Sequence, residues 1–170
     1  MGKSQSTILR AIQPTKPKKK RGNPEYVIQR DYFKAVFLHQ ATIPEMAWVN
    51  ASMNGMYTDY RTAALSKAAG MRKGIWDVHV PFPRLNHSCL YIEFKAGKNE
   101  LTAEQIQFAQ DCSKFTRGWL APLFLVYYNW GDAFEATKWF IEGDARHIPA
   151  HVLAARPNIG LYTVEITTNF

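Results

Sequence analysis

Apolar and polar positions along the chain follow two periods, and the switches between them mark out successive elements. Ile28, Tyr32 and Val36 form a stripe at helical spacing, with Asn23 as N-cap and Pro24 in the first turn, so a helix is predicted from Pro24 to about His39. Glu25 and Gln29 fall on the same stripe, which points an acid and an amide inward. "MAWVNAS" predicts a short strand, and "DYRTAALSKAAG" a helix ended by Gly70 with Arg61, Leu65 and Ala68 on one face. Gly74–Val80 and Cys89–Lys95 are rich in Val, Ile, Tyr and Trp and are separated by Pro81, Pro83 and Asn86, the pattern of two strands and a loop. "ELTAEQIQFAQDCSKF" predicts a helix capped by Thr102 that turns Gln105, Phe108, Ala109 and Cys112 inward. "APLFLVYY" reads as a buried strand and "DAFEATKWFI" as the helix after it.

The order is αβαββαβα, which predicts an α/β fold with a mixed central sheet between helices. After Glu142 the pattern weakens, and residues 143–170 read either as a dimer element or as an extra strand ending in "LYTVEITTNF". Phe124, Tyr127, Trp139 and Phe140 fall where such a fold needs its core.

Composition agrees with one globular domain: 170 residues, 46% hydrophobic and 14% aromatic. The two cysteines, Cys89 and Cys112, allow no disulfide framework and no four-cysteine zinc site within one chain, and point to a reducing, intracellular setting. Gly118–Gly131 is the longest run without Asp, Glu, Lys or Arg, and it is shorter than the roughly 20 residues needed to span a bilayer, so no membrane role is expected.

Charge changes the picture more. Residues 1–23 carry seven Lys or Arg (Lys3, Arg10, Lys16, Lys18, Lys19, Lys20 and Arg21) and no acid, so the whole net charge of +7 sits in that segment. With its prolines and lack of period it reads as a disordered arm, and the remaining chain divides into a domain over 24–142 and a C-terminal extension of it over 143–170. The arm has two readings: a phosphate-seeking segment that raises nucleic-acid affinity, or a solubilising leader. "MGKSQS" also fits a myristoylation pattern ahead of a polybasic run, but two fixed positions in six match often by chance.

The candidate chemistry lies in the two central strands. Alternation puts Asp77 and His79 on one face and Trp76, Val78 and Val80 on the other, and it gives Tyr91, Glu93 and Lys95 a shared face. Pairing the strands brings Asp77 and Glu93 together. Two carboxylates with one open side suit Mg²⁺ or Mn²⁺, with the backbone carbonyl of Phe94 as a third donor, and a lysine beside them suits phosphodiester hydrolysis. The plainer reading makes Glu93 and Lys95 cross-strand partners on a solvated face. His79 reads first as a hydrogen-bonded structural histidine, and Arg72 and Lys73 are placed to hold a phosphate.

"GIWD", "YIEFKAG" and "LTAEQ" together resemble the PD-(D/E)xK nuclease superfamily and, within it, the virus-type replication-repair nuclease (VRR-NUC) family, over roughly Glu25–Ile141. "EYVIQ", "AWVNASMNGMYTDYR" and "LSKAAGMRKGIWD" extend the resemblance upstream. It implies a restriction-endonuclease-like fold, with Asp77 and Glu93 as metal-binding acids, Lys95 as catalytic lysine and Gln105 beside the metal site. It makes Glu25 an accessory acid, and it places Asn50, Arg61 and Gly74 nearby. Trp76 departs from the pattern, standing where that family usually has proline.

The resemblance implies a metal-dependent DNA endonuclease, structure-selective for four-way junctions or flaps in replication, repair or recombination. It further implies a homodimer in the cytoplasm of a bacterial host, encoded by phage or bacterium. The alternatives are a catalytically inactive nucleic-acid-binding protein with the same fold, and a lipidated adaptor.

Overall fold

A computed structural model describes residues 23–52, 60–116, 120–143 and 146–161. Helix α1 spans Pro24–His39, and Asn23 Oδ1 accepts the backbone N–H of Glu25 at 3.1 Å as its cap. A 3₁₀ turn over Pro44–Trp48 leads into β1 (Asn50–Ala51), followed by α2 (Tyr60–Ala68), β2 (Val78–Val80), β3 (Leu90–Phe94) and α3 (Ala103–Phe115). The chain then forms β4 (Leu123–Tyr127), α4 (Trp130–Glu142) and α5 (Ala150–Ala154).

The four strands pair in the order β1-β2-β3-β4. The first two pairings are antiparallel, and β3 pairs parallel with β4 because α3 supplies the crossover that a parallel connection requires. This is the mixed sheet flanked by helices that the element order predicted, a restriction-endonuclease-like α/β fold.

The sheet separates two cores. On one face Val78, Val80, Leu90, Ile92, Phe94 and Leu125 pack with Tyr32 and Val36 of α1 and Phe140 of α4. The Tyr32 hydroxyl and Thr137 Oγ1 share a hydrogen bond of 2.8 Å between these helices, which satisfies two polar groups inside an apolar layer. On the other face Trp76, Phe124 and Ala109 pack with Tyr91 and Phe108. Phe124, Tyr127, Trp139 and Phe140 are all buried, as their positions implied. Among the described residues no helix is long and apolar enough to cross a membrane.

Three expectations are corrected. The strand predicted for "MAWVNAS" is confined to Asn50–Ala51, because Pro44, fixed in φ, starts a 3₁₀ turn in which Met46 N–H donates to the Ile43 carbonyl. The strand predicted from Gly74 begins only at Val78, since Gly74 sits at φ +84° and bends the chain. Trp76 therefore lies ahead of the strand and joins the α3 core, opposite Val78 and Val80 instead of beside them. Beyond Glu142 a short helix, α5, does form, and the Ala155 carbonyl just after it accepts Val126 N–H at 2.8 Å along the outer edge of β4. In "LYTVEITTNF" only Leu161 is among the described residues.

Candidate active site

The register of β2 against β3 pairs Val78 with Ile92, so one step outward brings Asp77 level with Glu93. Asp77 is then tied from three sides. Its Oδ2 accepts Phe94 N–H at 2.9 Å, and its carbonyl accepts Ser52 N–H at 2.9 Å and Gln29 Nε2–H at 3.4 Å. Gln29, the inward amide of α1, thus finds its partner in the backbone of this aspartate.

Glu93 and Lys95 alternate with Phe94, whose side chain is in the main core, and so project onto the α3 side of the sheet. Lys95 Nζ donates to Glu93 Oε1 at 2.7 Å, with their side chains only 6% and 3% exposed. The solvated cross-strand pair is therefore excluded. Gln105 completes the cluster from α3: its Oε1 accepts Lys95 Nζ–H at 3.0 Å and its Nε2 donates to Glu93 Oε1. The same Oε1 accepts Thr102 N–H at 2.9 Å, while Thr102 Oγ1 accepts Gln105 N–H at 3.3 Å. One residue is thus both the third position of a capping box and a partner of both catalytic candidates.

The electrostatics follow from burial. Desolvation pushes the Glu93 carboxyl up to about 7, and the charge of Asp77 adds to that. Lys95 and Gln105 oppose the shift by favouring the carboxylate. Asp77 is also raised, first by burial and last by the charge of Glu25, against the pull of Phe94 N–H and Lys95. Glu93 Oε2 is buried without a hydrogen-bond partner.

An acceptor left in that state, beside a second carboxylate, is a donor set that a hard divalent cation satisfies. The residues fit such an ion as two carboxylates and a backbone carbonyl, with water and phosphate needed to complete the shell. Among the described residues no three His, Cys, Asp or Glu side chains converge on one metal position.

Glu25 reaches the cluster through its charge, which raises Asp77. Its Oε1 accepts Asn99 Nδ2–H at 2.8 Å, and the Asn99 carbonyl accepts the Tyr128 hydroxyl at 3.1 Å. These two residues were missed, because a turn asparagine and an exposed tyrosine carry no period or spacing signal. The pair ties the start of α1 to the loop after β3 and to the end of β4.

Asn50 gives its amide N–H to the Trp48 carbonyl at 3.0 Å and pairs in the sheet with His79, two residues from Asp77. Gly74 abuts the first turn of α3: a Cβ there would meet the carbonyl carbon of Glu104 at 2.6 Å. His79 stacks on Tyr91 with centroids 4.6 Å apart, and burial lowers its pKa. Arg72 and Lys73 are exposed on the approach to β2. Arg61 is on α2 with its side chain outside the described residues, and Lys18, Lys19, Lys20 and Arg21 lie outside them altogether.

No protein-family model and no curated protein matches this sequence. Among solved structures the fold is similar to that of a chain described as a VRR_NUC domain protein, with a TM-score of 0.54 and 17% sequence identity. The match covers 72% of this chain and 92% of that one. The chain has a VRR-NUC-like fold. Asp77, Glu93, Lys95 and Gln105, the residues expected to form the centre of such a fold, are brought into one cluster.

Proposed function

We propose that this protein is a metal-dependent endonuclease that hydrolyses phosphodiester bonds in DNA. The observation that carries the reading is the buried Glu93 beside the half-buried Asp77, one oxygen of Glu93 without a partner, with the Lys95 ammonium 2.7 Å from the other. The likeness of the fold to a protein named for a VRR_NUC domain supports a nuclease-type scaffold.

Asp77, Glu93 and the carbonyl of Phe94 would hold Mg²⁺ or Mn²⁺, and Glu25 would act on the site through its charge and not as a ligand. The bound ion would acidify water and offset negative charge on the phosphoryl group. Lys95 gives one N–H to Glu93 and one to Gln105, which leaves its third donor for the attacking water or a phosphoryl oxygen. Gln105 keeps the lysine aimed. Arg61, Arg72, Lys73 and the basic segment would hold the flanking phosphates.

Branched DNA as substrate, a homodimer with two symmetric sites and a bacterial intracellular setting belong to the same proposal, and their support is the resemblance in sequence. The test is cleavage of labelled four-way junction, flap and linear duplex by wild type and Asp77→Ala, with Mg²⁺, Mn²⁺ or chelator. Metal-dependent cutting that vanishes in the variant is the expected result. Tight binding without cutting under any metal would replace it with the non-catalytic DNA-binding protein.

A further inference from the structure

Trp76 stands directly before Asp77 and is fully buried, with its ring edge-to-face on Phe124 at 4.9 Å. A ring of similar size would satisfy that packing. The indole adds something a plain ring cannot: Nε1–H donates to the backbone carbonyl of Gln105 at 3.1 Å. Two residues earlier, Gly74 lies so close to Glu104 that a side chain would not fit. The segment Gly74–Trp76 therefore holds two consecutive residues of the first turn of α3 and leads straight into the aspartate.

What that turn presents is the Gln105 carboxamide. It takes part in hydrogen bonds with Thr102, Lys95 and Glu93 at once, and bonds that reach from the helix's own cap to two side chains of the β3 segment tolerate little drift of the backbone that carries them. Ala109, one turn on, is small and buried in the same cluster, which lets α3 approach the indole.

We propose that Trp76 is a positioning residue, its indole N–H setting the Gln105 carboxamide against Glu93 and Lys95. The kinetic part of this inference rests on the endonuclease reading above, but the geometric part does not. The residue acts through Gln105, and removal of the N–H alone frees the carboxamide while the core stays filled.

The test replaces Trp76 by its isostere β-(3-benzothienyl)alanine, and separately makes Trp76→Phe. In metal-free full-length protein, the ¹H–¹⁵N resonances of the Gln105 side chain should sit away from the free-glutamine position in wild type and move toward it in both variants. With Mg²⁺ and cleavable DNA, kcat should fall roughly tenfold with little change in KM. Trp76→Phe combined with Gln105→Ala should lose no more than Gln105→Ala alone.

A Gln105 side chain that stays in place when the isostere is present would overturn the proposal, as would strictly additive losses in the double variant. If wild type cuts no DNA, the endonuclease reading fails and the resonances alone decide the role of Trp76. The isostere guards against a Phe variant that does not fold.

Discussion

Asp77 Oδ2 accepts the backbone N–H of Phe94 at 2.9 Å, so an aspartate one residue outside β2 is still held against β3. The bond needs an oxygen acceptor but not a negative charge. Position and charge at this residue are therefore separable.

Asp77→Asn should separate them. The asparagine carbonyl oxygen accepts the same N–H, so thermal stability should stay within about 1 kcal/mol of wild type. Mn²⁺ binding by calorimetry and metal-dependent cleavage should each drop by on the order of 10²-fold or more. A variant that binds Mn²⁺ as tightly as wild type would remove Asp77 from the ligand set.

Lys95 and Glu93 form a buried pair, and such a pair responds unequally to single and double replacement. Lys95→Met leaves the Glu93 carboxyl without its cation and should cost roughly 3–5 kcal/mol in urea unfolding at pH 8. Glu93→Gln with Lys95→Met should recover much of that, although activity stays lost. Equal destabilisation of the single and double variants would mean that lysine packing, not charge, holds the site.

Much of this was legible in the sequence because the relevant signals are local. Asn23 and Thr102 mark helix starts by the side-chain geometry those positions demand, and the apolar stripes of α1 and α3 set which faces turn inward. Period two placed Glu93 and Lys95 together. It failed one strand earlier, where the left-handed backbone of Gly74 ended the alternation and sent Trp76 to the opposite core. The link from Glu25 through Asn99 to Tyr128 joins residues up to 74 positions apart by single hydrogen bonds, a long-range fit that no local pattern encodes.

Gly74→Ala tests the tightest of these approaches. Gly74 has φ +84°, and a methyl group would press on the backbone of Glu104, which cannot swing away as a side chain would. The left-handed backbone alone costs about 1 kcal/mol for a non-glycine residue. The overlap should bring the loss to roughly 2–4 kcal/mol in chemical denaturation. A loss under about 1 kcal/mol would show that α3 moves away freely, and that the Gly74–Trp76 segment does not fix its first turn.

The raised Glu93 carboxyl makes a prediction about pH in metal-free protein. Its folded value of about 7 lies above its ordinary 4.5, so folding favours the protonated form. The associated stability is fully present below about 4.5 and is lost as pH rises through 7. Asp77 from just before β2, Lys95 from just after β3 and Gln105 from α3 face the group, and the charge of Glu25 on α1 reaches it through Asp77. Asp77, also raised, slopes the same way, whereas His79 and His87, both lowered by burial, slope the opposite way below about 6.5. These groups remain in Glu93→Gln, so the difference between wild type and that variant reports Glu93. In chelator, wild type should lose up to roughly 3 kcal/mol more than the variant between pH 5 and pH 8. Added Mg²⁺ should restore wild type at pH 8 far more than at pH 5, because the cation and the proton compete for the same oxygens. Parallel unfolding curves for the two proteins across that range would mean that Glu93 is ionised in the fold without penalty, and the argument for a cation there from its raised carboxyl would lapse.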